Sequence, residues 1–165
     1  MGGAVRVPGN LGDGGYFKTD NKTAEWNFFA DPLAARRVLH SGVRIRLVPL
    51  DATSKVPIDL EFLRGFRAGV RTRLGRFVLE ILESARVEEG FYYAWDPLVA
   101  VSLVRPEAVT ARPMAIEVRQ NPPEAGRTVE VTGARPNAST AVDANASLFK
   151  EVFFGAFAAR RQSER

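Results

Sequence analysis

The chain has 165 residues, 45% hydrophobic and 25% charged, a composition that is typical of one globular domain and argues against disorder. Because it contains no cysteine and one histidine, disulfides and thiolate metal sites are excluded and a conventional zinc centre is disfavoured, which leaves hard, oxygen-bound cations such as calcium or magnesium. The net charge of +4 comes mainly from arginines scattered along predicted helices, which indicates solvated faces rather than nucleic-acid binding, and no apolar run is long enough to cross a bilayer.

The first residues predict the end of an interior strand followed by a loop. Residues 1–6 lack the basic region and the sustained apolar stretch of a secretory signal, so we expect no signal peptide there. Residues 8–21 are rich in glycine and carry Asn10, Asp13 and Asp20, which indicates a loop.

An Asp-Pro pair predicts the first helix. Asp31 suits the capping position and Pro32 the first helical position, and the helix is expected to run through Leu39 and to end at Gly42. Residues 43–48 alternate at first and then become continuously apolar, which predicts a largely buried strand.

Residues 60–85 predict one long helix, because their apolar residues recur every three or four positions. A second Asp-Pro pair predicts another helix, which Asp96 caps and Pro106 ends. Residues 114–118 and 128–131 flank a turn with proline and glycine and predict a β-hairpin, and the last helix is expected to begin near Asp143. This order predicts an α/β fold with an open, mostly parallel sheet flanked by helices and a small antiparallel hairpin near the C-terminus.

Glu25 and Asn27 are the first candidate pair for ligand binding. In an extended stretch, residues two apart point the same way, and a carboxylate beside a carboxamide can bind two neighbouring hydroxyls. An exposed polar face on a loop is the alternative that the spacing leaves open. The neighbouring Trp26, Phe28 and Phe29 indicate that the segment packs against the protein.

Asp96 is the second candidate, because it follows the aromatic residues Phe91, Tyr92, Tyr93 and Trp95. A carboxylate beside an aromatic wall suits a sugar or a nucleobase, whose apolar faces the rings cover while the acid binds hydroxyls or a cation. A capped helix next to an aromatic core cluster explains the same residues, so both interpretations stay open.

Several of these motifs, in this order, resemble the inosine-uridine-preferring nucleoside hydrolases over nearly the whole chain. The family pattern has a Met-Gly-Gly strand end, then Gly-Asn, Ala-Glu-Phe-Asn and Asp-Pro. The matching segments here are Met1-Gly2-Gly3-Ala4, Gly9-Asn10, residues 24–32, Ser41-Gly42, residues 48–53, Trp95-Asp96-Pro97 and residues 112–131.

The resemblance implies roles for individual residues. Asn10, Glu25 and Asn27 match family residues that hold the ribose hydroxyls, and Asp96 matches the aspartate shared by a calcium ion and the ribose diol. Met1 matches a position close to the sugar. Residues 51–53 match a segment that supports the fold and is not expected to bind a ligand.

Two departures from the family pattern matter. Trp95 stands where many members have a histidine that helps to protonate a purine leaving group, and the spacing from Asn10 to Glu25 is longer than in compact bacterial members. Both features are similar to a longer branch of the family, so Trp95 is taken as substrate-binding, while the leaving-group acid and the base preference stay open.

The larger departure is that nothing in the chain resembles the family's N-terminal Asp-rich motif. That motif supplies most calcium ligands and the base that activates water, so the resemblance implies a C-terminal portion of one domain, residues 1–165, with an incomplete Ca²⁺ shell and no catalytic residue of its own. An N-ribohydrolase that is incomplete and has little activity alone is the first hypothesis. The alternatives are a non-catalytic nucleoside- or sugar-binding module and a plain α/β interaction domain.

The expected partners follow from the same resemblance. A ribonucleoside is the expected substrate, and a separate N-terminal half or a second copy of the chain is expected to cover an open sheet edge. No nucleic acid and no membrane is expected, and a cytoplasmic location is the default.

Overall fold

The computed structural model describes residues 1–12, 18–85, 87, 90 and 92–158, so Asp13 of the predicted loop and Phe91 of the predicted aromatic run lie outside the described residues. The chain divides into two compact units, the first formed by Met1–Lys55 with Val109–Ala144 and the second by Val56–Ala108 with the residues from Asn145 onward. The helices are α1 (Trp26–Ala30), α2 (Pro32–Leu39), α3 (Leu50–Thr53), α4 (Leu60–Gly69), α5 (Arg73–Ser84), α6 (Trp95–Val104) and α7 (Ala146–Phe157), and the strands are β1 (Arg46–Leu47), β2 (Val109–Met114), β3 (Ile116–Val118), β4 (Thr128–Glu130) and β5 (Ala138–Ala144).

The first unit contains both sheets that the structure describes. β5 is the central strand of a three-stranded sheet, in which it pairs with β1 in parallel and with β2 antiparallel. β3 and β4 form a separate antiparallel pair, as the predicted hairpin requires. A sheet with flanking helices confirms the α/β class, and the β2–β5 pairing adds an antiparallel element that the sequence did not predict.

The apolar core of the first unit lies between α2 and the two sheets. Buried side chains from α2, β1 and β3 meet there, and Phe28 of α1 packs against them. Polar contacts also join α2 and its C-cap to β3, since Arg36 Nε lies 2.7 Å from Glu117 Oε1 in an ion pair and His40 Nε2 lies 2.9 Å from Glu117 Oε2. The core side chains are Leu39, Leu47, Met114, Ile116, Val118 and Ala138.

The predicted start of α2 is confirmed, whereas the predicted strand and last helix differ from the structure. Asp31 Oδ1 accepts the Ala34 amide at 2.8 Å and Pro32 occupies the first helical turn. Of residues 43–48, only Arg46–Leu47 form a strand. The predicted last helix is present, but it begins at Ala146 after its cap, Asn145, because Asp143 pairs with β2 inside β5.

The prediction of one long helix over residues 60–85 is also wrong, because the second unit has two helices there. The Thr72 side chain accepts the Gly75 amide and starts α5, while the amides of Arg71 and Thr72 both donate to the Phe157 carbonyl, at 3.0 and 3.2 Å. The Phe157 carbonyl thus replaces the carbonyls that would accept these two amides in a continuous helix. The apolar residues keep their helical spacing across the gap between α4 and α5, and for this reason the spacing did not reveal the break.

Six phenylalanines from α4 and α7 build the interior of the second unit. Phe62 and Phe66 are 1% and 0% exposed, and their rings contact those of α7 with centroid separations of 5.0 to 6.2 Å. In contrast, α5 leaves Leu74, Phe77 and Ile81 exposed. None of the helices within the described ranges has the length and apolar character needed to cross a bilayer.

Candidate functional site

The start of the chain lies alongside the end of β1 in the first unit. The Gly2 amide donates to the Val48 carbonyl at 3.3 Å, and the Leu50 amide donates to the Gly3 carbonyl at 2.9 Å. Gly3 has φ +83°, and a Cβ there would lie 2.8 Å from Thr128 Oγ1, so the position requires glycine. This backbone therefore passes close to β4, but residues 1–4, for which the end of a strand was predicted, form no strand.

Glu25 is a buried carboxylate with three backbone partners. Its side chain is 1% exposed, Oε1 accepts the Asn27 amide at 2.9 Å, and Oε2 accepts the amides of Gly3 at 2.9 Å and Phe28 at 3.2 Å. These bonds make Glu25 the N-cap of α1. An ionised carboxylate offers about four acceptor positions, so three amides leave one for a further donor such as a hydroxyl.

The expectation that residues 25–27 are extended is corrected by this cap. Glu25 itself has an extended backbone, but Asn27 lies in the first turn of α1, because the carboxylate supplies the acceptor that the free amides at a helix start need. Asn27 is exposed, and its Nδ2 lies 3.5 Å from the Met1 carbonyl oxygen and 3.7 Å from Met1 Sδ. Its Oδ1 has no partner among the described residues.

Asn10 lies against the same helix start. The side-chain Oδ1 of Asn10 accepts the Trp26 backbone amide at 2.9 Å, and the backbone amide of Asn10 donates to the Ala24 carbonyl at 3.2 Å. The approach depends on Gly9, where a Cβ would come within 2.0 Å of the Ala24 carbonyl oxygen. Asn10, Glu25 and Asn27 therefore all lie at the N-terminus of α1, three of the residues that the sequence singled out.

Asp51 supports this arrangement from the other side, as predicted for residues 51–53. It is 6% exposed, and its two oxygens accept the amides of Val5 at 2.8 Å and Arg6 at 2.9 Å. The side chains of Arg6 and Arg112 both donate to Glu130. These hydrogen bonds hold the pKa of Glu130 below its ordinary value. These contacts fix the chain just after the two glycines.

Sequence reasoning missed Thr128 at this site. Its side chain is 0% exposed, and its Oγ1 accepts the Ala4 amide at 3.2 Å. Thr128 lies in the hairpin that the sequence predicted, but a threonine in a strand gives no signal of a long-range bond to residue 4.

Asp96 and Trp95 lie in the second unit, at the start of α6. The cap of α6 is Ala94, without a side-chain bond, and Asp96 is an exposed residue of the first turn. The interpretation of Asp96 as the cap is therefore wrong, because Trp95 already belongs to the helix. A carboxylate in the first turn is still favoured by the helix dipole.

Aromatic rings surround Trp95, as the sequence indicated. The ring centroids of Tyr92 and Tyr93 lie 5.0 and 6.2 Å from that of Trp95. Trp95 Nε1 is buried and has no hydrogen-bond partner within the described part of the chain. That Asp96 and Trp95 converge with Asn10, Glu25 and Asn27 on one cavity stays a prediction.

The residues that the structure describes do not form a calcium shell by themselves. No three side chains of Asp, Glu, His or Cys are grouped closely enough to hold a metal ion within those residues. Calcium needs about six to eight oxygen ligands, and Asp96 offers one carboxylate. We therefore derive no chemical step through calcium from these residues.

Comparison with known proteins gives one consistent family. Residues 1–151 match the family described as inosine-uridine preferring nucleoside hydrolase. Nucleoside hydrolase 3 of Arabidopsis thaliana is 41% identical over 113 residues, which are 62% of this chain and 13% of the plant protein. The pyrimidine-specific ribonucleoside hydrolase RihA of Escherichia fergusonii is 32% identical over 163 residues, 92% of this chain and 49% of that protein.

The fold agrees with solved structures of the same kind. The inosine-uridine preferring nucleoside hydrolase of Bacillus anthracis superimposes with a TM-score of 0.73 and 27% identity, over 95% of this chain and 49% of that one. The chain therefore spans about half the length, or less, of the relatives that it matches.

Proposed function

The chain belongs to the inosine-uridine preferring nucleoside hydrolase family, and on that premise we propose that it supplies the ribose-binding part of a nucleoside N-ribohydrolase site. The reaction would split the N-glycosidic bond of a purine or pyrimidine ribonucleoside into the base and ribose. The observation that carries the proposal is the Glu25 carboxylate, which is buried, bonded to three backbone amides and left with one acceptor position.

In this proposal, Glu25 and Asn27 divide the work at the sugar. Glu25 accepts a hydrogen bond from one ribose hydroxyl, and the three amides keep its orientation fixed. Asn27 is exposed and turns its carboxamide toward Met1, so it can accept from one hydroxyl and donate to another. Asn10 holds the start of α1 through the Trp26 amide and has its Nδ2 left for the ligand.

Asp96 and Trp95 complete the proposal from the second unit. Asp96 is proposed to bind the ribose diol and one calcium ion, and Trp95 to cover the apolar face of the ligand. The remaining calcium ligands and the water-activating aspartate are proposed to come from the part of the family fold that these residues do not cover. An N-terminal half with that part is the proposed partner at the site, and a second copy of this chain is proposed only as a cover for the open sheet edge.

Binding of ribose and of an iminoribitol, a cationic mimic of the sugar, tests the proposal on the full 165-residue chain. We expect millimolar ligand to shift the amide resonances of Gly3, Asn27 and Phe28, because these amides bond to Glu25 or lie beside it. Asn27→Ala should weaken the response about tenfold, since it removes a hydrogen-bonding partner from a polar ligand. Asn121→Ala is the matched control, since Asn121 is exposed on the β3–β4 turn.

Two results decide between the hypotheses. Resonance shifts of the same size in Asn27→Ala and in the unmodified chain would contradict the site. Rapid hydrolysis of inosine or uridine by the pure chain would contradict the expectation of little activity alone. Binding without hydrolysis, in the presence and absence of calcium, is expected both of an incomplete hydrolase and of a non-catalytic sugar-binding module.

A further inference from the structure

A second concave site lies in the first unit, at the end of the sheet where β1 and β5 begin. Its volume is about 590 Å³, and it lies between the loop from α2 to β1 and the segment that leads into β5. The Ser139 amide donates to the Ile45 carbonyl at 2.9 Å and fixes the two segments against each other. The groove is therefore built by regular strand pairing and not by a free loop.

The groove carries two arginines without partners. Arg44 and Arg135 both line it, and neither has an ion pair or a side-chain hydrogen bond among the described residues. Most other arginines of this unit that make side-chain contacts bond to glutamate, as Arg6 and Arg36 do. No aspartate or glutamate is among the described residues that line the groove, and the nearest carboxylate contact is that of Glu117 with His40, so the two guanidinium groups give the lining a net positive charge.

Apolar side chains form the wall beside these charges. Val43 and Ile45 come from one side and Pro113 and Pro136 from the other. A groove with two guanidinium groups and an aliphatic wall suits a small anion that also has an apolar part, since guanidinium binds phosphate and carboxylate oxygens through paired N–H donors. The lining argues against an uncharged sugar.

The groove and the candidate ribose site lie at opposite ends of β1. Ile45 immediately precedes β1 and lines the groove, whereas Gly2 and Gly3 bond to Val48 and Leu50 after the strand. No residue of the groove belongs to the set Asn10, Glu25 and Asn27. The two sites therefore can be tested separately.

We propose that the groove around Arg44 and Arg135 binds a small phosphate monoester, with the phosphate between the two arginines and the organic group against Val43 and Ile45. This inference is independent of the proposed hydrolase activity. It assigns a second ligand, of a different chemical class, to the first unit.

Titration of the full chain with phenyl phosphate and with inorganic phosphate tests the inference, at an ionic strength kept constant with sodium chloride. We expect saturable binding of phenyl phosphate that perturbs the amide resonances of Gly42, Ile45 and Ser139. Inorganic phosphate should bind several-fold more weakly because it lacks the apolar group. The double variant Arg44→Ala/Arg135→Ala should weaken phenyl phosphate binding about tenfold or more.

Arg119→Ala is the matched control, because Arg119 is an exposed arginine of the same unit outside the groove. The affinity of this variant for phenyl phosphate should match that of the unmodified chain. Equal affinity in the double variant and the control, no saturation at about 10 mM ligand, or resonance shifts at Gly3 and Asn27 instead of the groove would each overturn the inference. If the double variant does not fold, the resonance map of the unmodified chain decides alone.

Discussion

The two units of the chain are stabilised by different kinds of contact. In the first unit, the buried carboxylates Glu25 and Asp51 bind backbone amides that lie far away in sequence. In the second unit, α4 and α7 meet through phenylalanine rings in edge-on and stacked contacts. A hydrogen bond from an amide to a carboxylate is directional and therefore orients the two groups. Apolar packing has no such direction and positions side chains by filling the space between them. In the unit with most of the candidate ligand residues, buried carboxylates thus add directional bonds to an apolar core.

The two tryptophans allow the units to be followed separately. Trp26 belongs to the first unit and Trp95 to the second, and the chain has two tryptophans in all. A Trp26→Phe variant leaves a fluorescence reporter in the second unit, and a Trp95→Phe variant leaves one in the first. The predictions below use these backgrounds in urea unfolding.

Phe66→Ala should have the largest effect and should act on the second unit. Phe66 is 0% exposed and contacts four other rings, so its removal leaves a cavity. We expect a loss of about 3–5 kcal/mol in the free energy of unfolding reported by Trp95. Phe77→Ala, at a ring that is 57% exposed, should change it by less than about 0.5 kcal/mol. Similar losses in both variants would show that ring packing does not stabilise this unit.

Asp51→Ala should have the next largest effect and should act on the first unit. Removal of the carboxylate leaves the amides of Val5 and Arg6 without their acceptors, which should cost about 2–3 kcal/mol in unfolding followed by Trp26. Asp51→Asn keeps one acceptor oxygen and should lose about half as much. The control is Asp20→Ala at an exposed loop position. An equal loss of stability in Asp20→Ala and in Asp51→Ala would show that the buried carboxylate of Asp51 stabilises the first unit no more than an exposed carboxylate does.

Thr72→Ala tests a polar contact that shapes the second unit. The Thr72 side chain accepts the Gly75 amide at 3.0 Å and begins α5. Its loss should cost about 1 kcal/mol, as measured by urea unfolding, because an N-cap bond is removed. Thr72→Ser keeps the hydroxyl and should restore most of the stability. If serine and alanine behave alike, the cap does not stabilise the helix start.

Glu117→Gln should have the smallest effect, and the effect should depend on pH. Burial raises the pKa of Glu117, but hydrogen bonds from Arg36, Val118 and His40 outweigh it, so the pKa lies below its ordinary value of 4.5. A lowered folded pKa contributes stability that is present above pH 4.5 and is lost as the pH falls through the folded pKa.

The half-exposed partners limit this contribution to about 0.5 kcal/mol. Melting temperatures should therefore differ between Glu117→Gln and the unmodified chain at pH 7 and converge as the pH falls through the folded pKa of Glu117. Glu80→Gln, at an exposed position of α5 with no ion pair among the described residues, is the control and should match the unmodified chain at every pH. A difference that stays constant as the pH is lowered would contradict the ion-pair explanation.

Local signals in the sequence predicted the elements whose causes are local. Asp31 and Pro32 start α2 through a cap and a fixed φ angle, and the hairpin turn carries its own proline and glycine. The sequence did not predict β5, because Asp143 is a residue type that favours helix caps. The strand conformation of β5 depends instead on its pairing with β1 and β2. The break between α4 and α5 was missed for the same reason, because the Phe157 carbonyl that permits it lies far along the chain.

In the candidate site, too, the sequence predicted what depends on nearby residues and missed what depends on distant ones. The sequence identified Asn10, Glu25 and Asn27, and the structure brings them together at the start of α1. It did not reveal that Glu25 caps this helix, because glutamate is not a preferred capping residue, nor that its carboxylate reaches Gly3. Those facts depend on a contact between residues 22 positions apart.

The Phe157 carbonyl accepts two amide protons from the joint between α4 and α5. Those protons belong to Arg71 and Thr72, so their exchange with deuterated solvent reports on a residue 85 or more positions away in sequence, at the end of α7. Slow exchange requires α7 to be docked, since a backbone amide exchanges only when its hydrogen bond opens. A short peptide from the middle of the chain can thus measure, by mass spectrometry, how often the last helix detaches.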